Sequence, residues 1–335
     1  MQDFKMFFPW TMENICLTVR DITVLVKKNK DKKVVIFNPE EHSTFNPELQ
    51  NHRKKIEQLC EENNVVLEFW LGDFGFDLEE SKYIKFVNWP LFLLYSTCST
   101  VGAIYQEEKY IDRLGVSLNN VAHDFRCEFI DVLAKYQLLD DMYYTWHNEF
   151  YPSGGYDFKW FTPKVVRLSE EEDLGFVNGA WDQYHVPKEY HQGLIHVINE
   201  STVDKLDISE KTWQAIAHKK PFIIAGIEGI HQVLVDLGFK LYTDLFDYEF
   251  DSDPDYSNRL ESIAQQVKKH QGKNYQELYE SQRETIEFNY CKLMHMFENN
   301  VGVPEELYNY IGVEDYTTSP VYQSIQKHRA SMEVK

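Results

Sequence analysis

The chain has 335 residues, 43% hydrophobic and 15% aromatic, which supports two cores of ordinary domain size better than one. Its 34 Lys+Arg against 54 Asp+Glu leave a formal net charge of -20, so bulk nucleic-acid binding is disfavoured and only a local basic cleft stays open. The five cysteines (Cys16, Cys60, Cys98, Cys127, Cys291) are odd in number and form no C-x-x-C pair, which points to reduced thiols in a cytoplasmic setting and to neither a disulfide framework nor a zinc site.

In chain order, Met1 to Trp10 carries Asp3 and Lys5 and no secretory signal pattern. Lys27, Lys28, Lys30, Lys32 and Lys33 form the one dense basic cluster and read as a solvated loop. Val34–Phe37 predicts a buried strand ended by Asn38-Pro39, and Val65–Trp70 a second. Between them, Leu49, His52, Ile56, Leu59 and Cys60 recur at helical intervals over Asn46 to Asn64. Strand, helix, strand implies a parallel sheet with a crossover helix. The uncharged run Val87 to Tyr105 contains Asn88, Pro90 and Ser96-Thr97-Cys98-Ser99-Thr100, so it reads as buried strand plus loop, not as a membrane span.

Phe125 to Leu139 predicts another helix, and the Gly/Pro-bearing stretch His147 to Pro163 reads as an interdomain linker. Alternation then resumes: strand Gly193–Ile198, helix Glu210–Ala217, strand Pro221–Ala225, helix Ile230–Leu237 and strand Phe239–Tyr242, with helices from Asn258 onward. The expected organisation is α/β, with two Rossmann-like domains over residues 1–160 and 161–300 and a helical tail over 301–335.

The segment from His196 to Gly226 carries the clearest chemistry. Glu200 follows a strand end, where a carboxylate can accept from ribose or sugar hydroxyls. Ser209 is placed to cap the next helix, whose first N–H groups can take an anionic oxygen, and Lys211 adds a point charge. These features suit a sugar diphosphate. The same residues also read as surface charges of a first turn, Glu210 and Lys211, with Glu200 capping a neighbouring helix. Gly226-Ile227-Glu228-Gly229 fits either a phosphate turn or tight strand-to-helix packing. Asp251-Ser252-Asp253 matches an Asp-x-Asp metal pair but lacks the apolar strand such a pair ends. It sits in the acidic run Asp244 to Asp255, which reads as a solvated loop. His185, His191 and His196 lack ligand spacing, so no metal is expected.

Asn199-Glu200-Ser201, Asp207, Ser209-Glu210-Lys211, Trp213 and the Pro221-Phe222-Ile223 strand with Gly226 resemble the donor-site signature of the α1,3-fucosyltransferase family. The resemblance extends to glycosyltransferase-like proteins of phage and marine-virus genomes through Leu237-Gly238-Phe239-Lys240, Asp247-Tyr248-Glu249 and Arg126 at a helix start. It covers roughly Asn119 to Arg259. Ser209 stands where the family has threonine, and Asn199-Glu200 reverses its Glu-Asn order. The resemblance implies a GT-B-like enzyme whose two domains face each other across a cleft. It would move a sugar from a GDP- or UDP-sugar to a glycan or other hydroxyl acceptor, with inversion at the anomeric carbon and with protein cations in place of a metal. The implied donor-site residues are Arg126, Glu200, Ser209, Glu210, Lys211 and Gly226. The catalytic base would come from Glu40, Glu41 or His42, just past the first strand. Two other readings are a non-catalytic nucleotide-sugar-binding module and a phage-type DNA-base glycosyltransferase.

Overall fold

Among the described residues, two four-stranded sheets, each parallel throughout, organise the chain as an α/β protein. The computed structural model describes residues 5–7, 19–38, 51–71, 80–91, 94, 97, 110–119, 122–147, 155–168, 187–203, 206, 208–299 and 301. The chain divides into two compact units, with the main boundary at 93/94.

The first unit contains β1 (Lys5–Phe7), α1 (Val19–Lys28), β2 (Lys33–Asn38), α2 (Arg53–Asn63), β3 (Val66–Leu71) and β4 (Ile84–Asn88), with strand order β1-β2-β3-β4. Register pairs Ile36 with Phe69 and Leu67 with Ile84. Ile22, Leu25 and Val26 of α1 and Ile56 and Cys60 of α2 close over Val34, Ile36, Leu67 and Phe69. The i, i+3, i+4 spacing in α1 supplies the apolar stripe that this face buries. Asn64 ends α2 in the left-handed region at φ 51, a conformation asparagine tolerates, and its N–H reaches the Cys60 carbonyl. The lysine cluster is the last turn of α1 and the turn beyond it, with Lys33 paired to Glu68.

The second unit contains β5 (Arg113–Ser117), α3 (Asp124–Lys135), β6 (Met142–Tyr144), α4 (Lys188–Gln192), β7 (Gly193–Asn199), α5 (Glu210–Ala217), β8 (Phe222–Ala225), α6 (Ile230–Asp236), α7 (Tyr256–Lys268), α8 (Tyr275–Ser281) and α9 (Arg283–Glu298). Strand order is β6-β5-β7-β8, so the chain moves outward from β5 to β6 and then returns to the other side of β5. Right-handed crossovers then put α3 and α5 on opposite faces. α3 packs against α7, and α5 against α9. β7 is buried along its whole length. Its close approach to β5 needs glycine on both strands: a Cβ on Gly193 would lie 2.7 Å from the Gly115 carbonyl carbon, and one on Gly115 would lie 2.7 Å from the Ile195 oxygen.

Three expectations change. Residues 110–147, expected in the first domain, belong to the second unit because β5 is hydrogen-bonded to β7. The described part of the expected linker is packed: Asp131 of α3 accepts from the amides of Lys159 (3.1 Å), Trp160 (2.7 Å) and Phe161 (2.7 Å), and Trp146 stacks edge-on against Phe158 and Phe161. Residues 239–242 form no strand. Asn289 accepts from the Lys240 amide at 2.8 Å and donates to its carbonyl at 2.9 Å, while the Tyr242 amide donates to Tyr248 Oη, so side chains take the bonds a ladder would have taken. Of the expected tail, only Val301 lies among the described residues. Among the described residues no helix is long and apolar enough to cross a membrane.

Asn289→Leu leaves the Lys240 amide and carbonyl without partners. A cost of about 2 kcal/mol should lower the second unit's melting temperature by roughly 4–8 °C, read by differential scanning calorimetry. An unchanged transition would show that this pairing does not hold the segment.

Candidate functional site

The site is built at the carboxyl edge of the second sheet, where β5, β7 and β8 end and α3 and α5 begin. Glu200, directly after β7, is 1% exposed. Its two oxygens accept from the Ser209 amide, each at 3.3 Å, and one accepts from Thr212 Oγ1 at 2.7 Å. Glu200 thus occupies the start of α5 itself, where unpaired N–H groups favour negative charge. Burial raises its pKa, and the Lys211 charge and the bonds from Ser209 and Thr212 only partly oppose this. These bonds match the capping role that the sequence also allowed. The carboxylate fixes α5 to the strand end.

That fixation assembles the cationic group. Ser209 caps α5, with Oγ accepting from the Lys211 amide at 3.4 Å. Lys211 Nζ donates to Ser201 Oγ at 2.9 Å, to Ser209 Oγ at 3.4 Å and to Glu210 Oε1 at 2.9 Å. Burial alone would raise the Glu210 pKa. The Lys211 charge and hydrogen bond, the residue's own backbone N–H and the charge of Arg126 outweigh it and hold the carboxyl below its ordinary value. Arg126, buried in the first turn of α3, therefore lies in the field of the Glu210–Lys211 pair although the two helices are far apart in sequence.

Gly226 lies beside the same group, but as a packing position. A Cβ there would sit 2.8 Å from Ile230 Cδ1 and 3.5 Å from Glu200 Cγ, and the Gly226 carbonyl accepts from Arg259 Nη2 at 2.9 Å. Arg259 and Thr212 were not singled out by sequence reasoning, and Ser201 entered it only within the Asn199-Glu200-Ser201 element. Thr212 directly follows Ser-Glu-Lys, so the motif could have exposed it, whereas Arg259 carries no local signal. Glu40, Glu41 and His42 lie outside the described residues.

The acidic run is largely exposed loop and turn, as expected, and Asp251 is its buried exception. Asp251 is buried, accepting from the amides of His231 (3.0 Å) and Gln232 (3.3 Å) at the start of α6, with Oδ1 2.7 Å from His231 Nδ1. The Ile224 amide donates to His231 Nε2 at 3.1 Å, which places the imidazole proton on Nδ1, facing Asp251. Asp255 caps α7 by accepting from the Asn258 amide. A groove of about 420 Å³, lined by Ala134, Gln137, Tyr144, Trp160 and Lys164, lies at the opposite end of α3 from Arg126 and takes no part in this group.

No family model and no curated protein matches this chain.

His196, in the middle of β7, is enclosed with Nδ1 2.8 Å from Tyr190 Oη. Burial, then Lys211 and Lys220, lower its pKa from 6.5 to about 3. A depressed folded-state value means its contribution is complete above pH 6.5 and is lost as pH falls toward 3. His196→Gln, which cannot titrate, should show a shallower fall in melting temperature than the native chain across that window. Parallel curves would contradict the assignment.

Proposed function

We propose that the second unit binds a nucleotide sugar and that the chain transfers its sugar to an acceptor hydroxyl. The observation that carries this reading is the Lys211–Glu210 pair, bonded at 2.9 Å in the first turn of α5 and within the field of the Arg126 charge, at the carboxyl edge of a parallel sheet, where α/β proteins bind ligands.

The chemistry follows from the group. As the anomeric bond breaks, negative charge builds on the departing nucleoside diphosphate. Lys211, already oriented by Ser201 and Ser209, meets that charge without reorganising, and Arg126 offers a planar fork matched to phosphate oxygens. Two fixed cations supply the stabilisation a divalent ion would give elsewhere. Glu210 orients Lys211 through one oxygen and keeps a second acceptor for a donor hydroxyl. Glu200 holds the helix start without meeting the donor.

In this reading the reaction is a direct, inverting displacement that needs no metal, and the arrangement is GT-B-like. The first unit supplies the acceptor side and the base, from Glu40, Glu41 or His42 just beyond β2 at Asn38. The donor is a GDP- or UDP-sugar, and the acceptor is a glycan or another hydroxyl compound.

The test is a thermal-shift screen against GDP- and UDP-sugars and the free diphosphates, run on native protein and Lys211→Ala, with and without chelator. At a hundredfold excess over Kd a bound donor stabilises by about 2.7 kcal/mol, a shift of several degrees. The expected result is a shift in native protein that persists with chelator and is lost in Lys211→Ala. A folded native chain that responds to none of these ligands would overturn the proposal.

A further inference from the structure

The same sheet edge holds two buried asparagines that the preceding account does not use. Asn119 lies two residues beyond β5, and Asn199 ends β7. Because Val116 pairs with His196, the two stand level at the ends of adjacent parallel strands. Alternation directs Asn199 to the face opposite Glu200, and a bond from Asn119 Nδ2 to Ser117 Oγ (3.1 Å) keeps Asn119 on the face of Ser117, which is level with Val197. Both amides therefore belong to one face.

Asn199 is 2% exposed, and among the described residues neither its Oδ1 nor its Nδ2 has a hydrogen-bond partner. Asn119 is 1% exposed, and its Oδ1 is likewise unpartnered. Neighbouring buried amides with unpaired atoms are rare in native proteins and call for a reason. The pair lies between β5 and β7, where the strand order reverses, and that reversal point is where open parallel sheets admit ligands.

We infer that Asn119 and Asn199 form a neutral subsite for the vicinal hydroxyls of a furanose or pyranose ring. An amide offers acceptor and donor without charge, and a hydroxyl both gives and takes a hydrogen bond, so a diol can satisfy all the unpaired atoms. A phosphate only accepts and would leave both carbonyl oxygens unpaired. The inference rests on the nucleotide-sugar reading and adds to it the residues that recognise a sugar ring, either the ribose or the transferred sugar. Both side chains are enclosed, so binding is coupled to an opening of this edge.

Asn119→Leu and Asn199→Leu, native protein and Lys211→Ala are to be titrated by calorimetry with inorganic pyrophosphate, GDP, UDP and their sugar conjugates, and their unliganded melting temperatures compared. Asn199→Leu should melt at or above the native temperature, because an apolar group replaces an unpaired buried amide, and Asn119→Leu slightly below it, because Ser117 loses one partner. They should bind pyrophosphate as native protein does and bind ring-bearing ligands about tenfold more weakly. A loss already present with GDP or UDP assigns the pair to ribose, and a loss confined to the conjugates assigns it to the transferred sugar. If Lys211→Ala loses binding while both leucine variants keep native affinity, this inference fails and the donor-site reading stands. If native protein binds none of the ligands, both fail. A marked drop in melting temperature in both leucine variants would also overturn the inference, since the amides would then be structural.

Discussion

A buried carboxylate at a strand end is the constraint on which the second unit's site depends. Glu200 cannot be solvated, so its oxygens need donors from the protein, and they find them at the Ser209 amide and the Thr212 hydroxyl at the start of α5. The helix start, in turn, needs a negative partner for its unpaired amides. Each satisfies the other, and the connection from β7 to α5 is held at both ends. The hydroxyls of Ser201 and Ser209 then face the same point, and Lys211 is held between them. Removing Glu200 would therefore be felt first as a loss of Lys211 orientation.

The sheet supplies the second half of the arrangement. Reversal of strand order at β5 and β7 brings the start of α3, with Arg126, to the edge from which α5 springs. The reversal requires β5 and β7 to approach closely, which Gly115 and Gly193 permit. A side chain at either glycine would strain the sheet and separate the two cations as well. Packing beneath the sheet and charge above it are thus coupled through the same two strands.

Much of this was legible in the sequence, and the failures have physical causes. Helix Glu210–Ala217 was bounded correctly because Ser209 is a good cap and the apolar spacing is regular. Strands β2, β3, β7 and β8 read well because parallel strands buried on both faces are continuous apolar runs. β5 carries Arg113 and Gly115, and β6 is three residues long, so neither announces itself. Without them the domain boundary fell too late in the chain. Residues 239–242 have strand-like composition, but Asn289 and Tyr248 claim their backbone groups from a distance no local pattern reveals. The motif placed Ser209, Glu210 and Lys211 at one helix start and Arg126 at another, and the described helices begin there. For Glu200, the plainer of two readings, a helix cap, matches the structure. The unpaired amides of Asn119 and Asn199 could not be read from sequence at all, because burial without a partner is a property of the fold.

The most direct measurement of the account is backbone hydrogen–deuterium exchange of the native chain with and without a saturating nucleoside diphosphate. The account predicts slowed exchange in two separate peptides at once, one spanning Ser201 and Ser209–Thr212 and the other spanning the first turn of α3 around Arg126. Bound diphosphate that protects only one of these, or neither, would contradict the proposal that the two helix starts, α5 fixed by Glu200 and α3 placed by the sheet, form one anion site.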